Sequence, residues 1–237
     1  NFICCDTRDN LSELIKKAGY EMHILPHQFD LKEDVLQIHE ILKKERRDID
    51  WLIVDHYELD IEWESRIKPL VRKLMVIDDL ANREHHCDLL LDQNLYHDMQ
   101  NRYNGLVPGD SKKLFGPRFA LLRNEFKEAR NKIKGRNGLI RRILVFSGSS
   151  DPTAETLKIL KGISLLNCKD FAIDIIIGAI NPRREEIEKF AKNMPNAACY
   201  YNINNISELM VAADLYIGAA GITTWERCCL ALPSLVI

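Results

Sequence analysis

The sequence alternates short apolar runs, each about the length of a β-strand, with longer segments whose apolar residues recur at helical spacing. In the first half of the 237 residues, the strand candidates are Phe2–Cys5, Glu21–Leu25, Trp51–Asp55, Lys73–Ile77 and Asp88–Asp92. The helical patterns between them are Leu11–Ala18, Lys32–Lys44 and Ile61–Leu70. Such alternation is typical of βαβ units around a parallel sheet, so we predict an α/β fold.

The alternation restarts in the second half of the chain. Strands are predicted at Arg142–Phe146, Ala172–Ile177, Ala198–Tyr201 and Leu215–Ile217, and helices at Ala154–Leu166, Arg183–Asn193 and Ile206–Ala212. A segment rich in Lys, Arg, Asn and Gly separates the halves, so we predict a first domain at 1–130, a connector at 131–141 and a second domain at 142–237. We interpret the basic connector as solvated, with a phosphate-binding patch as the alternative.

Composition argues against several classes of protein. Hydrophobic residues make up 46% and charged residues 29% of the chain, and the formal net charge is −2, which disfavours nonspecific nucleic-acid binding. No apolar run approaches the roughly 20 residues that span a bilayer, and no signal-peptide pattern opens the sequence. We therefore expect a cytoplasmic protein with small-molecule partners. The seven cysteines include no Cys-x-x-Cys spacing, so we predict reduced thiols rather than disulfides or a zinc site. We also expect no metal and no cofactor.

A loop of small residues, Gly218–Gly221, follows the predicted strand Leu215–Ile217 and precedes a short helix. Such a loop lets backbone N–H groups approach an anionic ligand at the carboxyl end of a parallel strand. Thr223 or Thr224 is the expected helix cap, and Glu226 is placed to accept hydrogen bonds from sugar hydroxyls. We predict a nucleotide site that includes Gly221, with a plain strand-to-helix turn as the alternative.

A second loop of this kind, Ser147–Pro152, follows the strand Arg142–Phe146. The backbone amides of Ser147, Gly148 and Ser149 are predicted to hold a diphosphate. Asp151 or Thr153 is the expected cap, with Pro152 at the first helical position. Two such loops in one domain favour a nucleotide over a pair of plain turns.

Polar residues also follow two strands of the first half. His56 and Tyr57 come after Trp51–Asp55, and Asp78 and Asp79 come after Lys73–Ile77. The alternatives are that His56 caps its strand and that the two acids only fix the next loop. The run His85–Asp88 contains metal-ligand residue types, but adjacent histidines point in different directions, so no metal is predicted there.

Several segments in order closely resemble the UDP-2,4-diacetamido-2,4,6-trideoxy-β-L-altropyranose hydrolase family, which includes the spore coat polysaccharide biosynthesis proteins. They are Val54–Tyr57, Leu59–Asp60, Ile77–Leu80, Cys87–Asn94, Phe115–Pro117, Ala120–Arg123 and Gly221–Pro233. The resemblance covers nearly the whole chain. It implies a GT-B fold, in which two Rossmann-like domains with parallel sheets face a cleft.

The resemblance implies an enzyme that uses water to cleave the anomeric C–O bond of a UDP-sugar, releasing UDP and a free sugar on the way to pseudaminic acid. It assigns UDP to the two loops, with the ribose at Glu226. His56 and Tyr57 are the expected neighbours of the sugar and the water. Further catalytic candidates are Asp79, Arg83 and His85.

The sequence departs from the family pattern at its ends. The family has a glycine-rich loop with a catalytic histidine after its first strand, and that segment would precede Asn1; another strand and loop would follow Ile237. Asn82 stands where the family more often has Asp. We therefore expect both ends to be truncated, the base to lie before residue 1, and this chain to bind nucleotide weakly. A UDP-sugar-dependent GT-B glycosyltransferase and a noncatalytic nucleotide-sugar-binding module remain alternatives, and the oligomeric state stays open.

Overall fold

The chain folds into two compact units, Asn1–Ala120 and Leu121–Ile237. The computed structural model describes residues 1–5, 12–26, 30–44, 48–133, 135–166, 170–201, 203, 205–221 and 223–237. Within these ranges every strand pairing is parallel. The predicted α/β fold is therefore confirmed.

The first unit contains two parallel sheets. Its strands are β1 (Phe2–Cys5), β2 (Met22–Leu25), β3 (Trp51–Asp55), β4 (Lys73–Ile77), β5 (Leu89–Asp92) and β6 (Lys112–Phe115), and its helices are α1 (Ser12–Lys17), α2 (Leu31–Lys44) and α3 (Ile61–Ile67). Strands β1 and β2 form one sheet, and the other has the order β3-β4-β5-β6. Leu74, Val76 and Leu90 of the central strands are almost fully buried, as expected for a parallel sheet covered on its faces.

The second unit is a single five-stranded sheet with helices. Its elements are α4 (Asn124–Arg130), β7 (Arg142–Phe146), α5 (Glu155–Ser164), β8 (Ala172–Ile177), α6 (Arg184–Ala191), β9 (Ala197–Tyr201), α7 (Ile206–Ala212), β10 (Leu215–Gly218), α8 (Thr223–Cys229) and β11 (Ser234–Val236). The strand order is β11-β10-β7-β8-β9. The chain order therefore reverses between β7 and β10, and such a switch point is where doubly wound sheets bind ligands.

The boundary between the units lies after Ala120, ten residues before the end of the predicted first domain. Helix α4 accounts for the difference. Its Phe126 is fully buried and its Ala129 nearly so, and both belong to the core formed by Leu144 and Tyr216. The apolar face of α4 therefore assigns this helix to the second unit.

The described part of the basic connector is mostly exposed, as interpreted from the sequence, but Arg136 is half-buried and docked against the fold. The Arg136 guanidinium donates from Nε to the carbonyl of Ala213 (3.1 Å) and from Nη2 to that of Met210 (3.2 Å). Its Nη1 donates to the carbonyls of Leu230 and Ala231, both at 2.9 Å. Because these carbonyls lie at the ends of α7 and α8, Arg136 satisfies the last acceptors of two helices. Burial lowers the pKa of Arg136.

Replacing Arg136 with methionine is expected to lower the free energy of unfolding by roughly 2–4 kcal/mol, because several carbonyls lose their donor at once. Urea unfolding monitored by circular dichroism measures this loss. The matched control is Lys132→Met, an exposed cation in the same segment. Equal stabilities for the two variants would show that Arg136 does not hold the helix ends.

Candidate functional site

The carboxyl ends of β3, β4 and β5 gather polar side chains at one edge of the first unit's larger sheet. The register places Asp55 opposite Ile77, and Ile77 opposite Leu91. Asp79 lies two residues beyond β4, and Asp92 is the last residue of β5. The sheet thus brings together acids that are far apart in the sequence.

Asp79 is held at this edge through one carboxylate oxygen and its backbone carbonyl. Its Oδ2 accepts a hydrogen bond from Asn94 Nδ2 (2.9 Å), and its backbone carbonyl accepts from the Tyr96 hydroxyl (3.0 Å) and Arg102 Nη2 (2.7 Å). Its Oδ1 is buried and accepts no hydrogen bond of good geometry from the described residues, although the Tyr57 hydroxyl lies close enough to interact with this carboxylate. A buried carboxylate oxygen in this state has unused acceptor capacity, which a ligand or a water can satisfy.

Tyr57 and Asp55 lie within reach of the Asp79 charge. That charge is the main cause that raises the pKa of Tyr57, with burial second. Burial is the main cause that raises the pKa of Asp55, with the Asp79 charge second. Tyr57 is 65% exposed, and its hydroxyl interacts with the Asp79 carboxylate. His56 is half-buried and its Nδ1 accepts from the Glu58 backbone N–H (3.1 Å), which shapes the turn after β3.

Arg83 joins two loops and is not displayed to a ligand as a catalytic cation. Its Nε donates to the Leu59 carbonyl (2.8 Å) and its Nη2 to the His56 carbonyl (2.9 Å). Its Nη1 pairs with Asp78 Oδ1 at 2.7 Å. These contacts bind the loop after β3 to the loop after β4, so Arg83 positions His56 and Asp78.

His85 is fully buried between two acids, which corrects its prediction as a catalytic candidate. Its Nδ1 lies 2.7 Å from Glu64 Oε1, and its Nε2 lies 3.9 Å from Asp78 Oδ2. Burial alone would lower the pKa of His85, but the carboxylates of Asp78 and Glu64 raise it to about 9. The imidazolium is therefore a structural cation that cannot touch a substrate.

The His85 pKa predicts loss of stability at alkaline pH. The folded value of about 9 lies above the ordinary value of 6.5, so this stabilisation is complete below pH ~6.5 and is lost as the pH rises to about 9. The expected loss is roughly 3 kcal/mol, measured by urea unfolding at several pH values. His85→Gln should flatten this dependence, whereas the neighbouring His86→Gln should keep it. An unchanged pH profile in His85→Gln would contradict the assignment.

The turn after β7 lies at the switch point of the second unit, and no side chain covers its backbone at Gly148. Gly148 has φ +85°, and a Cβ added there would meet no atom within 4 Å. Ser149 is exposed, and Ser147 is buried with an Oγ that has no partner within the described ranges. Behind the turn, the backbone of Gly178 packs against Gly148 and Ser149. The turn can therefore offer N–H groups and a hydroxyl to an anion.

Asp151 caps α5 and does not face a ligand, which corrects its place in the predicted nucleotide site. Its carboxylate accepts from the backbone N–H groups of Glu155 (2.7 Å) and Thr156 (3.1 Å), and the residue is buried. Because α5 begins at Glu155, Pro152 precedes the helix and is not its first residue. Asp151 thus fulfils the predicted capping role only.

The turn after β10 is also open. Gly221 has φ +110° with no atom within 4 Å of an added Cβ. Thr223 and Thr224 are the first two residues of α8, so neither is its cap, and residue 222 lies outside the described ranges. The Thr224 hydroxyl oxygen accepts from Arg227 Nη2 (2.9 Å). Since that bond uses an oxygen lone pair, the hydroxyl proton can be donated to a ligand.

Glu226 is buried and carries an ion pair that the sequence did not reveal. Its Oε1 accepts from Arg123 Nε (3.2 Å) and Nη2 (3.0 Å). The predicted ribose-binding carboxylate is therefore held by a cation 103 residues away.

The sequence analysis assigned no role to three other residues of these sites, Asn94, Arg102 and Arg227. Asn94 is the last residue of the segment Cys87–Asn94, which resembles the family, so its position could have indicated a role. Nothing in the sequence indicated Arg102 or Arg227, because their partners become neighbours only in the fold. Arg227 is buried with its guanidinium 4.1 Å from the centre of the Tyr216 ring, and burial lowers its pKa.

In the part of the chain that the structure describes, no group of three His, Cys, Asp or Glu side chains is arranged to hold a metal ion. No helix within that part is long and apolar enough to cross a bilayer.

Known sequences that are similar to this chain include proteins of the kind that its motifs resemble. The chain is 28% identical over 222 residues to the UDP-2,4-diacetamido-2,4,6-trideoxy-β-L-altropyranose hydrolase of Campylobacter jejuni, covering 93% of this chain and 74% of that protein. It is 27% identical over 207 residues to the spore coat polysaccharide biosynthesis protein SpsG of Bacillus subtilis, covering 85% and 60%. An uncharacterised protein of Methanocaldococcus jannaschii is 26% identical to this chain over 194 residues. The match covers 79% of this chain but only 40% of that protein. No family model matches the chain.

Solved structures with similar folds support the GT-B prediction. UDP-GlcNAc 2-epimerase from Neisseria meningitidis, bound to UDP-GlcNAc, matches 99% of this chain and 73% of its own with a TM-score of 0.56 at 15% identity. Anabaena HepE, in complex with UDP and glucose, matches 99% and 72% with a TM-score of 0.51 at 11% identity. The chain therefore has a GT-B-like fold.

Proposed function

We propose that this protein hydrolyses a UDP-linked diacetamido-trideoxy sugar, releasing UDP and the free sugar, in the biosynthesis of a pseudaminic-acid or spore-coat type polysaccharide. The observation that carries the proposal is the pair of open turns, after β7 and after β10, on either side of the switch point. The similarity to a protein named as such a hydrolase, over 93% of this chain, supports the choice of reaction.

The second unit is proposed to bind UDP. Backbone N–H groups of Gly148 and Ser149 and the Thr224 hydroxyl stabilise the negative charge that develops on the departing diphosphate. The positive φ angles of Gly148 and Gly221 favour glycine, and the absence of a side chain leaves the approach of this group open. Glu226 accepts hydrogen bonds from the ribose hydroxyls.

The first unit is proposed to serve the sugar and the water. The water oxygen forms the new bond to the anomeric carbon, and the bond from that carbon to the β-phosphate oxygen breaks with its electron pair leaving on UDP. In place of the base that the resemblance puts before residue 1, the Asp79 carboxylate takes the proton of the water as general base. The exposed Tyr57 hydroxyl donates to the sugar, while His56 and Arg83 hold the surrounding turn.

The test is incubation of the protein with UDP-2,4-diacetamido-2,4,6-trideoxy-β-L-altropyranose, with UDP-GlcNAc as the comparison substrate. Equal amounts of UDP and free sugar, formed without an added acceptor, are the expected result. UDP release that requires an added sugar or lipid acceptor would indicate a glycosyltransferase. UDP binding without turnover would indicate a noncatalytic module, and either result would overturn the proposed hydrolysis.

A further inference from the structure

Arg123 is held on three sides at the start of α4. Its Nη1 pairs with Glu125 Oε1 at 2.7 Å, and its guanidinium carbon lies 5.1 Å from the centre of the Phe126 ring. Its Nε and Nη2 both donate to Oε1 of Glu226. The Arg123 side chain is 53% exposed, but these contacts orient its guanidinium, so it can hold a carboxylate in one orientation.

The two Arg123 hydrogen bonds end on the same oxygen of Glu226. The Glu226 side chain is only 5% exposed, and a buried carboxylate needs a cation or several donors to remain charged. Arg123 supplies that charge through Oε1, so Oε2 is not engaged by this guanidinium. A vicinal diol donates two hydroxyl hydrogens, and a charged oxygen held in place is a strong acceptor for them.

We propose that Arg123 is a positioning residue that fixes the Glu226 carboxylate for a ribose, and that the site thereby selects ribonucleotides over 2′-deoxyribonucleotides. The inference rests on the proposed function, because it takes Glu226 as the ribose acceptor. Arg123 itself acts through Glu226 and does not need to touch the nucleotide.

The experiment compares the affinities of UDP and 2′-deoxy-UDP by isothermal titration calorimetry. The variants are Arg123→Gln, Arg123→Lys and Glu226→Gln, with Glu128→Gln on the exposed face of α4 as the matched control. Wild type is expected to prefer UDP by about 10-fold or more, the effect of a charge-assisted hydrogen bond. Arg123→Gln and Glu226→Gln should bring the ratio close to one, Arg123→Lys should restore part of it, and Glu128→Gln should keep it.

The ratio of the affinities for UDP and 2′-deoxy-UDP distinguishes a positioning role of Arg123 from a purely structural one. A variant that only loosens the fold weakens both nucleotides equally, so its ratio stays at the wild-type value; that outcome in Arg123→Gln overturns the inference. Tighter UDP binding by Arg123→Gln also overturns it, because Arg123 would then compete with the ribose. If the wild-type protein binds UDP and 2′-deoxy-UDP equally well, only this inference is overturned. If the wild-type protein does not bind UDP, the proposed function is overturned as well. If Arg123→Gln does not fold, Arg123→Lys decides the question: a ratio below the wild-type value supports the inference, and a wild-type ratio overturns it.

Discussion

Replacing Asp79 with asparagine is expected to lower kcat for UDP release about 10²–10⁴-fold, the range that a general base contributes. Asparagine has the same shape, and its amide oxygen can still accept from Asn94 Nδ2, which donates to Asp79 at 2.9 Å. What it lacks is the negative charge that takes a proton from water. Affinity for UDP should stay within about threefold of wild type, because UDP is assigned to other residues.

The matched control for this variant is Asp98→Asn, which removes an exposed acid from the same unit. Its kcat should equal that of wild type. Steady-state assays of UDP release measure both variants, and circular dichroism verifies that each is folded. A kcat for Asp79→Asn within threefold of the wild-type value would show that the base is another group.

Replacing Gly178 with alanine is expected to lower the free energy of unfolding by about 3 kcal/mol, at the upper end of the range for overpacking. The added Cβ would lie 2.1 Å from the Ser149 carbonyl oxygen and 2.4 Å from that of Gly148. Both are backbone atoms, so the clash cannot be relieved by a rotamer change. The turn after β7 must move, and UDP affinity should fall with it.

Gly162→Ala is the matched control for Gly178→Ala. Gly162 lies inside α5, and a Cβ added there meets no atom within 4 Å. Alanine in a helix interior is favoured over glycine by about 0.5–1 kcal/mol, so this variant should gain stability and keep its affinity for UDP. Urea unfolding and calorimetry with UDP measure both effects. Equal stability of the two alanine variants would contradict the close packing behind the turn.

The sequence located most strands of the fold because their apolar runs are buried, as in Arg142–Phe146 and Ala172–Ile177. It missed β6 because that strand begins with Lys112 and Lys113, and only its last two residues are apolar. It missed α4 because two buried residues, Phe126 and Ala129, lie among polar ones.

The sequence predicted those candidate-site residues whose positions depend only on the order and direction of the strands. The carboxyl ends of neighbouring parallel strands meet at one edge, so the positions of Tyr57, Asp79 and Gly148 follow from the strands before them. The roles of His85 and Asp151 do not follow, because each depends on partners that the fold supplies. His85 is enclosed by Glu64 and Asp78, which are distant from it in the sequence. The Asp151 carboxylate caps the helix that follows it.

The central claim is that water attacks the anomeric carbon of a UDP-sugar, and the most direct test is turnover in oxygen-18-labelled water. The phosphate oxygens of the released UDP are analysed by mass spectrometry, because they do not exchange with solvent under these conditions. Attack at the anomeric carbon predicts UDP without label and free sugar that carries it at early times. Label in the β-phosphate of UDP, or no UDP release at all, would contradict the account.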